Sequence, residues 1–424
     1  LEATTQPSVQ PSVLSHRPFL LFWLGRIISV LAYHMTMVAL AWQLYALTDS
    51  ALALGFIGLA QFIPIVLLTL PVGHLSDRYD RCKIVRTCQW ISASAAIVLV
   101  LGTRGGWLDS YVIYAVVIVL GSMRAFEVPT MGATVPNLVP PHEVPRAMAW
   151  FASANQAAQI IGPALGGALY IFGPALVYGL SVTLWLIASV FMMIIVVERV
   201  MHPQKPLSLK SLLAGFSFVL RDRVILGTAS LDLFAVLFGG ATALLPIFAR
   251  DILHTGPWGL GLLRSAPAVG ALVMSLILAR YPLKPPIGPI LFGVILLFGG
   301  ATISFALSTH IILSMFALCI MGASDVVSVV IRFSLVQLRT PDEMRGRVSA
   351  ANSLFIGTSN QLGDFESGVV AALVGAVPAV VIGGVGTIAV AVLWMLVLFP
   401  ELYRIYNLEN DERPDAVPQQ AGTT

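Results

Sequence analysis

The sequence predicts an all-α membrane protein of twelve transmembrane helices in two pseudo-symmetric six-helix bundles. Three observations carry that expectation: a composition too apolar for water, a regular succession of apolar stretches, and an internal echo between the two halves. Of 424 residues 57% are hydrophobic and 11% charged, which leaves too little polar surface to wrap a soluble globule of this size. A hydrocarbon core about 30 Å thick takes roughly twenty apolar residues per helical crossing. Such stretches run over 18–47, 51–75, 84–101, 111–134, 147–172 and 175–197, then over 224–248, 259–281, 287–307, 310–338, 348–374 and 378–399. Gly, Ser and Ala recur in them, as expected of helices that associate by close backbone approach.

Between the sixth and seventh stretches lies the most polar connection, with Pro203, Pro206 and several cations. The chain therefore divides into an N-terminal tail (1–17), a first bundle (18–197), a central linker (198–223), a second bundle (224–399) and a C-terminal tail (400–424). The halves echo each other at an offset of about 200 residues, as in repeat-built transporters. Leu138, Pro141, Glu143 and Ser153 match Leu338, Pro341, Glu343 and Ser353, and Leu54, Gly55 and Ala60 match Leu260, Gly261 and Ala266.

Loop charges set the expected orientation, because Lys- and Arg-rich loops resist translocation. Arg17, Arg78, Arg81, Lys83, Arg86, Arg146, Arg199, Lys205, Lys210, Arg221 and Arg223 fall on one side, followed by Arg280, Lys284, Arg339, Arg345, Arg347, Arg404 and Arg413. The opposite loops offer Arg104 and Arg250. Both termini are thus expected in the cytoplasm, and the slight basicity reports topology rather than nucleic-acid binding. No cleaved signal peptide is predicted before the first span. Cys82, Cys88 and Cys319 have no spacing that argues a disulfide framework or a metal site, and no cofactor is expected. Gly-x-Ser-x-Gly and His-Glu-x-x-His are absent, and none of Lys83, Lys205, Lys210 or Lys284 follows Gly as a phosphate-binding loop requires. An enzyme is therefore not expected, nor ATP-driven transport by this chain alone.

The sharpest motif is Gly73-His-Leu-Ser-Asp77-Arg78-Tyr-Asp80-Arg81-Cys-Lys83, between the second and third spans. Gly73 lets helices approach, Asp77 suits a helix N-terminus, and Arg78 and Arg81 suit acids or helix ends. Together with the six-plus-six organisation and the basic central loop, this motif resembles the cytoplasmic loop signature of the major facilitator superfamily, with its final Arg-Lys relaxed to Arg81-Cys82-Lys83. The resemblance implies two bundles around a central cavity, and a cytoplasmic latch made of these residues. An ordinary basic loop is the plainer alternative.

In the fourth span Arg124 and Glu127 resemble the superfamily's fourth-helix motif, where a buried Arg is tied to proton coupling, although Glu127 and Val128 stand where Gln and Gly are usual. A charge in hydrocarbon demands a partner, and the i, i+3 spacing suggests that the two pair with each other, either permanently or as a switch. Gly162-Pro163-Ala-Leu-Gly166-Gly167 in the fifth span resembles the Gly-Pro-x-x-Gly-Gly signature of the superfamily's antiporters; a generic small-residue packing seam reads as well.

Other intramembrane charges are site candidates by default. Arg26 and Asp232 occupy equivalent repeat positions in spans one and seven, which suggests a pair across the cavity. Asp325 and Arg332 lie two turns apart on one face of span ten. Asp364 and Glu366 in span eleven read as proton carriers or as partners of Arg345 and Arg347. Each of these charges reads equally as a structural ion pair. Tyr33, His34, Trp42, Phe126 and Trp150 form either an amphipathic wall or ordinary packing. Asn155, Gln156 and Gln159 serve either substrate or helix association.

Leu212-Leu-Ala-Gly-Phe, Gln337-x-x-Thr340-Pro341-x-x-Met344-x-Gly346-Arg347 and Gly363-Asp364 are similar to the superfamily group typified by the bacterial enterobactin exporter. That resemblance implies a monomeric, proton-driven exporter of siderophores, drugs or similar amphiphiles in a bacterial inner membrane, with protons and membrane lipid as its other partners. An uptake symporter of the same architecture, or a membrane receptor or enzyme without a recognisable site, is the alternative.

Overall fold

The computed structural model describes residues 13–195 and 209–407. Within helices, the side chains of 69, 70, 73, 74, 76–78, 209–213, 342, 343, 350, 353 and 354 lie outside that description. Twelve long helices fill the two halves. The first half holds α1 (Arg17–Thr48), α2 (Ala51–Arg78), α3 (Arg81–Gly105), α4 (Ser110–Thr134), α5 (Val144–Leu169) and α6 (Pro174–Ile194). The second holds α7 (Arg223–Phe238), α8 (Gly256–Arg280), α9 (Ile287–Leu307), α10 (Ile311–Arg339), α11 (Asp342–Val374) and α12 (Ala376–Leu393). The chain beyond α7 continues as short helical turns to Ile252.

Short polar residues set the joints. Ser50 Oγ accepts from the Ala53 N–H, Asp80 Oδ1 from Cys82 and Lys83, Asp109 Oδ1 from Val112, and Asp222 Oδ1 from Val224 and Ile225. Each satisfies amides that a helix start leaves open. Asp49 ends α1 in the left-handed region at φ 46°, a conformation Asp tolerates better than most residues.

Ten of the helices are long and apolar enough to cross a membrane by length and composition. The exceptions are α5 and α11. They are long as well, with 26 and 33 residues, but carry Asn155, Gln156 and Gln159, or Asn360, Gln361, Asp364 and Glu366. Both lie between the bundles, α5 against α1 and α8, and α11 against α2 and α7. Polar side chains are tolerable there because protein rather than lipid surrounds them.

Apolar packing fills each half, and one buried cluster continues from the first half into the second. Phe19, Phe22, Tyr178 and Trp185 are fully buried in the first, and Phe248, Phe292 and Phe305 in the second. The halves meet along two seams, α2 on α11 and α5 on α8. A Cβ at Gly55 would stand 3.0 Å from Gly368 Cα, and one at Gly58 would stand 2.7 Å from the Gln361 carbonyl oxygen. On the other seam a Cβ at Gly167 would run into the Pro257 carbonyl oxygen and sit 2.9 Å from Gly261 Cα. Gly55 and Gly261 are repeat partners, so the sequence echo appears in space as two related glycine contacts. Both lie in the half of the molecule away from the termini.

One element departs from the sequence reading. Residues 209–221 of the polar linker form a helix, Leu209–Arg221. Its Gly215 packs on the Arg347 backbone and its Phe216 ring lies 5.0 Å from that of Phe355 in α11. The 3.6-residue recurrence of Leu212, Phe216, Val219 and Leu220 explains it; the cations around it hid the apolar stripe. Arg199 and Lys205 lie outside the described residues.

Candidate functional site

Three groups of polar side chains occur at membrane depth. The first joins α1, α4 and α5. Arg26, 2% exposed, donates from Nε to Asn155 Oδ1 at 2.9 Å and lies 4.0 Å from Glu127 Oε1, with its guanidinium 5.2 Å from the Phe151 ring centre. Ser29 Oγ donates to Glu127 Oε1 at 2.6 Å. Every charge here has a counter-charge and a hydrogen bond, which is what burial in a low dielectric requires.

The second joins α7 and α10. Arg332 makes a close ion pair with Asp232 and a looser one, 3.9 Å, with Asp325, while its Nε donates to the Ser328 carbonyl at 3.2 Å. Two carboxylates thus share one guanidinium. Asp232 is buried and Asp325 is not, its side chain being 47% exposed. A cleft of about 300 Å³ lies beside them, walled by Val294, Ile295 and Phe298 of α9 with Ser324 of α10. The two groups are mirror images in charge: Arg26 and Glu127 stand where the second half has Asp232 and Arg332.

The third lies where the bundles cross. The Arg124 guanidinium sits 4.3 Å from the centre of the Tyr33 ring, and the Tyr33 hydroxyl donates to Gln61 Oε1 at 2.8 Å. From the second half, Arg264 and Asp364 come within electrostatic reach of the same phenol. Asp364 accepts from Thr242 Oγ1 at 3.0 Å. His34 stacks edge-on to Tyr33 at 5.5 Å.

Two pairings expected from the sequence are corrected. Glu127 pairs with Arg26 and not with Arg124, and Arg26 does not reach Asp232. The physical reason is common to both. A partner within the same bundle moves with its charge through any rearrangement of the halves, so the ion is never left bare in hydrocarbon. Asp325 and Arg332 do meet. Asp364 turns to Thr242 rather than to Arg345 or Arg347; Arg345 Nε donates to the Gln337 carbonyl at 3.3 Å. Glu366, two residues beyond Asp364 and so on another face of α11, neighbours Ser367. Trp150 packs edge-on against Trp23, and Trp42 against Tyr170. Gln156 Nε2 donates across the seam to the Ala268 carbonyl at 2.7 Å.

Among the loop-motif residues, Arg81 donates to the Ala133 carbonyl at 2.6 Å, tying the start of α3 to the end of α4. The side chains of Gly73, Asp77 and Arg78 lie outside the described residues. In the Gly162–Gly167 motif, Gly162 and Gly166 abut α1: Cβ atoms there would stand 2.7 Å from His34 Cβ and 2.8 Å from Met35 Cα. Pro163 is buried, and a Cβ on Gly261 of α8 would meet its carbonyl oxygen at 2.5 Å.

The reading of the sequence passed over Arg264. It sits in α8 eight residues past Gly256, in a stretch without another charge before Arg280, and the cost of a lone ion in hydrocarbon is the signal that finds it. Also passed over was a latch at the end of the molecule opposite the termini. Arg250 Nη1 meets Asp49 Oδ1 at 2.7 Å and its guanidinium lies 5.2 Å from the Tyr45 ring centre, while the Tyr45 hydroxyl donates to Asp251. These bonds run between the bundles.

Two six-helix bundles with paired charges inside their spanning helices and polar groups at their crossing define a membrane transporter of the major facilitator type. A family model described as transmembrane secretion effector matches residues 9–418. The chain belongs to that family, and it is a multi-pass membrane transporter rather than an enzyme. It is 26% identical over 393 residues to the enterobactin exporter EntS of Citrobacter koseri, covering 91% of this chain and 92% of that one. To macrolide efflux protein A of Streptococcus pyogenes it is 23% identical over 272 residues, 62% of this chain and 66% of that one. Among solved structures it resembles a bacterial homologue of the human lysosomal transporter Spinster, with TM-score 0.72 at 12% identity, covering 91% of this chain and 97% of that one. A bacterial homologue of the iron transporter ferroportin gives TM-score 0.64 at 19% identity, covering 90% and 100%.

Proposed function

We propose that this chain is a proton-coupled exporter of a small organic amphiphile, working by alternating access in a bacterial inner membrane with both termini in the cytoplasm. The observation that carries the coupling is the Asp232–Arg332–Asp325 group. Two carboxylates against one guanidinium leave one negative charge at membrane depth, on the half-exposed Asp325 beside an open cleft. A proton taken up there brings the group to neutrality, and its release restores a charge that favours the wetter state of the cleft. The Arg26–Glu127 pair, buried and balanced, holds the first bundle rigid.

The positive-inside distribution of Lys and Arg supports the orientation. In that orientation both glycine seams and the Arg250–Asp49 latch close the outer side, so the chain is inward-facing and ready to load from the cytoplasm. Both named relatives are an exporter and an efflux protein, which supports the direction.

The test is flux of enterobactin and of a macrolide in proteoliposomes under an imposed pH gradient. Export against a concentration gradient is expected only with the gradient present. Asp325→Asn should abolish uphill movement while leaving exchange of labelled for unlabelled solute intact. Uphill flux that ignores the gradient, or that survives Asp325→Asn unchanged, sinks the coupling.

A further inference from the structure

The crossing of the bundles holds an imbalance of the opposite sign. The Arg124 guanidinium of α4 lies 4.3 Å from the centre of the Tyr33 ring, and Arg264 of α8, from the other half of the molecule, acts electrostatically on the same phenol. Among the described residues neither guanidinium has a carboxylate oxygen within 4.0 Å. The carboxylate nearest in electrostatic terms, Asp364, is engaged by the Thr242 hydroxyl. Two cations therefore face one acid, and both arginines are half-buried.

The surroundings leave polar capacity unused. His34 Nε2 and Gln361 Oε1 are buried without hydrogen-bond partners. Gln361 lies one turn before Asp364 on the face of α11 that Gly58 touches. Buried polar atoms are normally satisfied, and an orphaned one calls for a partner such as a water, an ion or a bound group. The Arg124 guanidinium carbon lies over the Tyr33 ring, 4.3 Å from its centre, and a guanidinium drawn to a ring face keeps N–H groups to offer a planar acceptor. Tyr33 is itself fixed by its bond to Gln61.

We infer that this crossing binds an organic anion bearing an aromatic ring, with its acid group bridging Arg124 and Arg264 and its ring beside Tyr33 and His34. The inference rests on the transporter reading above and deepens it by naming the substrate class. An acid group accepts bidentate hydrogen bonds from a guanidinium. Because the two forks belong to different bundles, the anion also neutralises a repulsion that otherwise opposes their approach. Loading and closure then share one cause.

Equilibrium binding to the full chain in lipid nanodiscs tests this without a proton gradient or any flux, so failure of the export reading and failure of this one are separable. Three probes of one ring system differ only in charge: 2-naphthoate, 2-naphthamide and 2-naphthylmethylammonium. Naphthoate should bind at least about tenfold more tightly than the other two. Arg124→Gln and Arg264→Gln should each erase that preference while leaving amide binding in place, and Arg264→Lys, which keeps the charge but loses the fork, should fall between. Thermal unfolding of each variant establishes that it is folded, and the comparison of probes on the native chain stands whether or not the variants fold. Equal binding of the three probes, tighter binding of the cation, or no naphthoate binding at millimolar concentration overturns the assignment.

Discussion

Replacing Gly167 by Ala adds one methyl group at the tightest point of the α5–α8 seam. In the structure that methyl carbon would collide with the Pro257 carbonyl oxygen and lie 2.9 Å from both the Cα and the amide nitrogen of Gly261. All are backbone atoms, which cannot swing aside as the end of a side chain can. Overpacking of this kind costs about 1–3 kcal/mol. If the seam parts when the bundles rock, the cost falls on the outer-closed state alone, and about 1.4 kcal/mol shifts the equilibrium tenfold toward the outer-open one. Spin labels at Ile171→Cys and Trp258→Cys, in a chain whose three native cysteines are replaced, report the separation across that seam by electron–electron double resonance. The long-distance population should rise by about tenfold or more in Gly167→Ala. An unchanged distance distribution accompanied by a lower unfolding temperature would refute the reasoning, because it would mean that the seam stays packed in both states.

Asp232→Asn leaves Arg332 buried with the 3.9 Å contact to Asp325 as its only ion pair and should lower thermal stability by about 3 kcal/mol; the double variant Asp232→Asn with Arg332→Gln should recover most of it, and a double variant no more stable than the single one would count against a buried pair. Arg250→Gln removes the Asp49 ion pair, whose side chains are 39% and 69% exposed. Its effect on stability should stay within about 1 kcal/mol and shrink in high salt, yet thiol labelling of a Thr48→Cys reporter, which keeps Asp49, should become faster than in the same reporter with Arg250 intact because the outer latch is weaker. Tyr33→Phe keeps the ring under Arg124 and loses only the bond to Gln61, so it should cost about 1 kcal/mol, whereas Tyr33→Leu should also release the guanidinium and weaken naphthoate binding. Equal effects of the two substitutions on binding would remove the ring from the site.

The fold class was legible before any coordinates because it follows from a quantity that sequence states directly, the length and apolarity of successive stretches. The positions of the candidate charges followed from the same rule, since an ion in hydrocarbon is conspicuous wherever it falls. Arg26, Arg124, Glu127, Asp232, Asp325, Arg332 and Asp364 were found that way, and Arg264 was findable by it. The repeat was legible as well, and Gly55 and Gly261 turned out to be the contacts that its two copies share.

What the sequence could not supply was who faces whom. Spacing along one helix made Arg124 and Glu127 look like partners, but a long guanidinium reaches several neighbours, and packing of α1 against α5 brought Arg26 to Glu127 and Asn155 instead. The same holds for Asp232, which took Arg332 from its own bundle rather than Arg26 from the other. Choice of counter-ion depends on distances between helices that no local pattern encodes, and on which elements move together as a rigid body. Only the assembled bundle decides that a balanced cluster sits inside the first half, a cluster with one acid in excess inside the second, and two arginines without a close carboxylate between them.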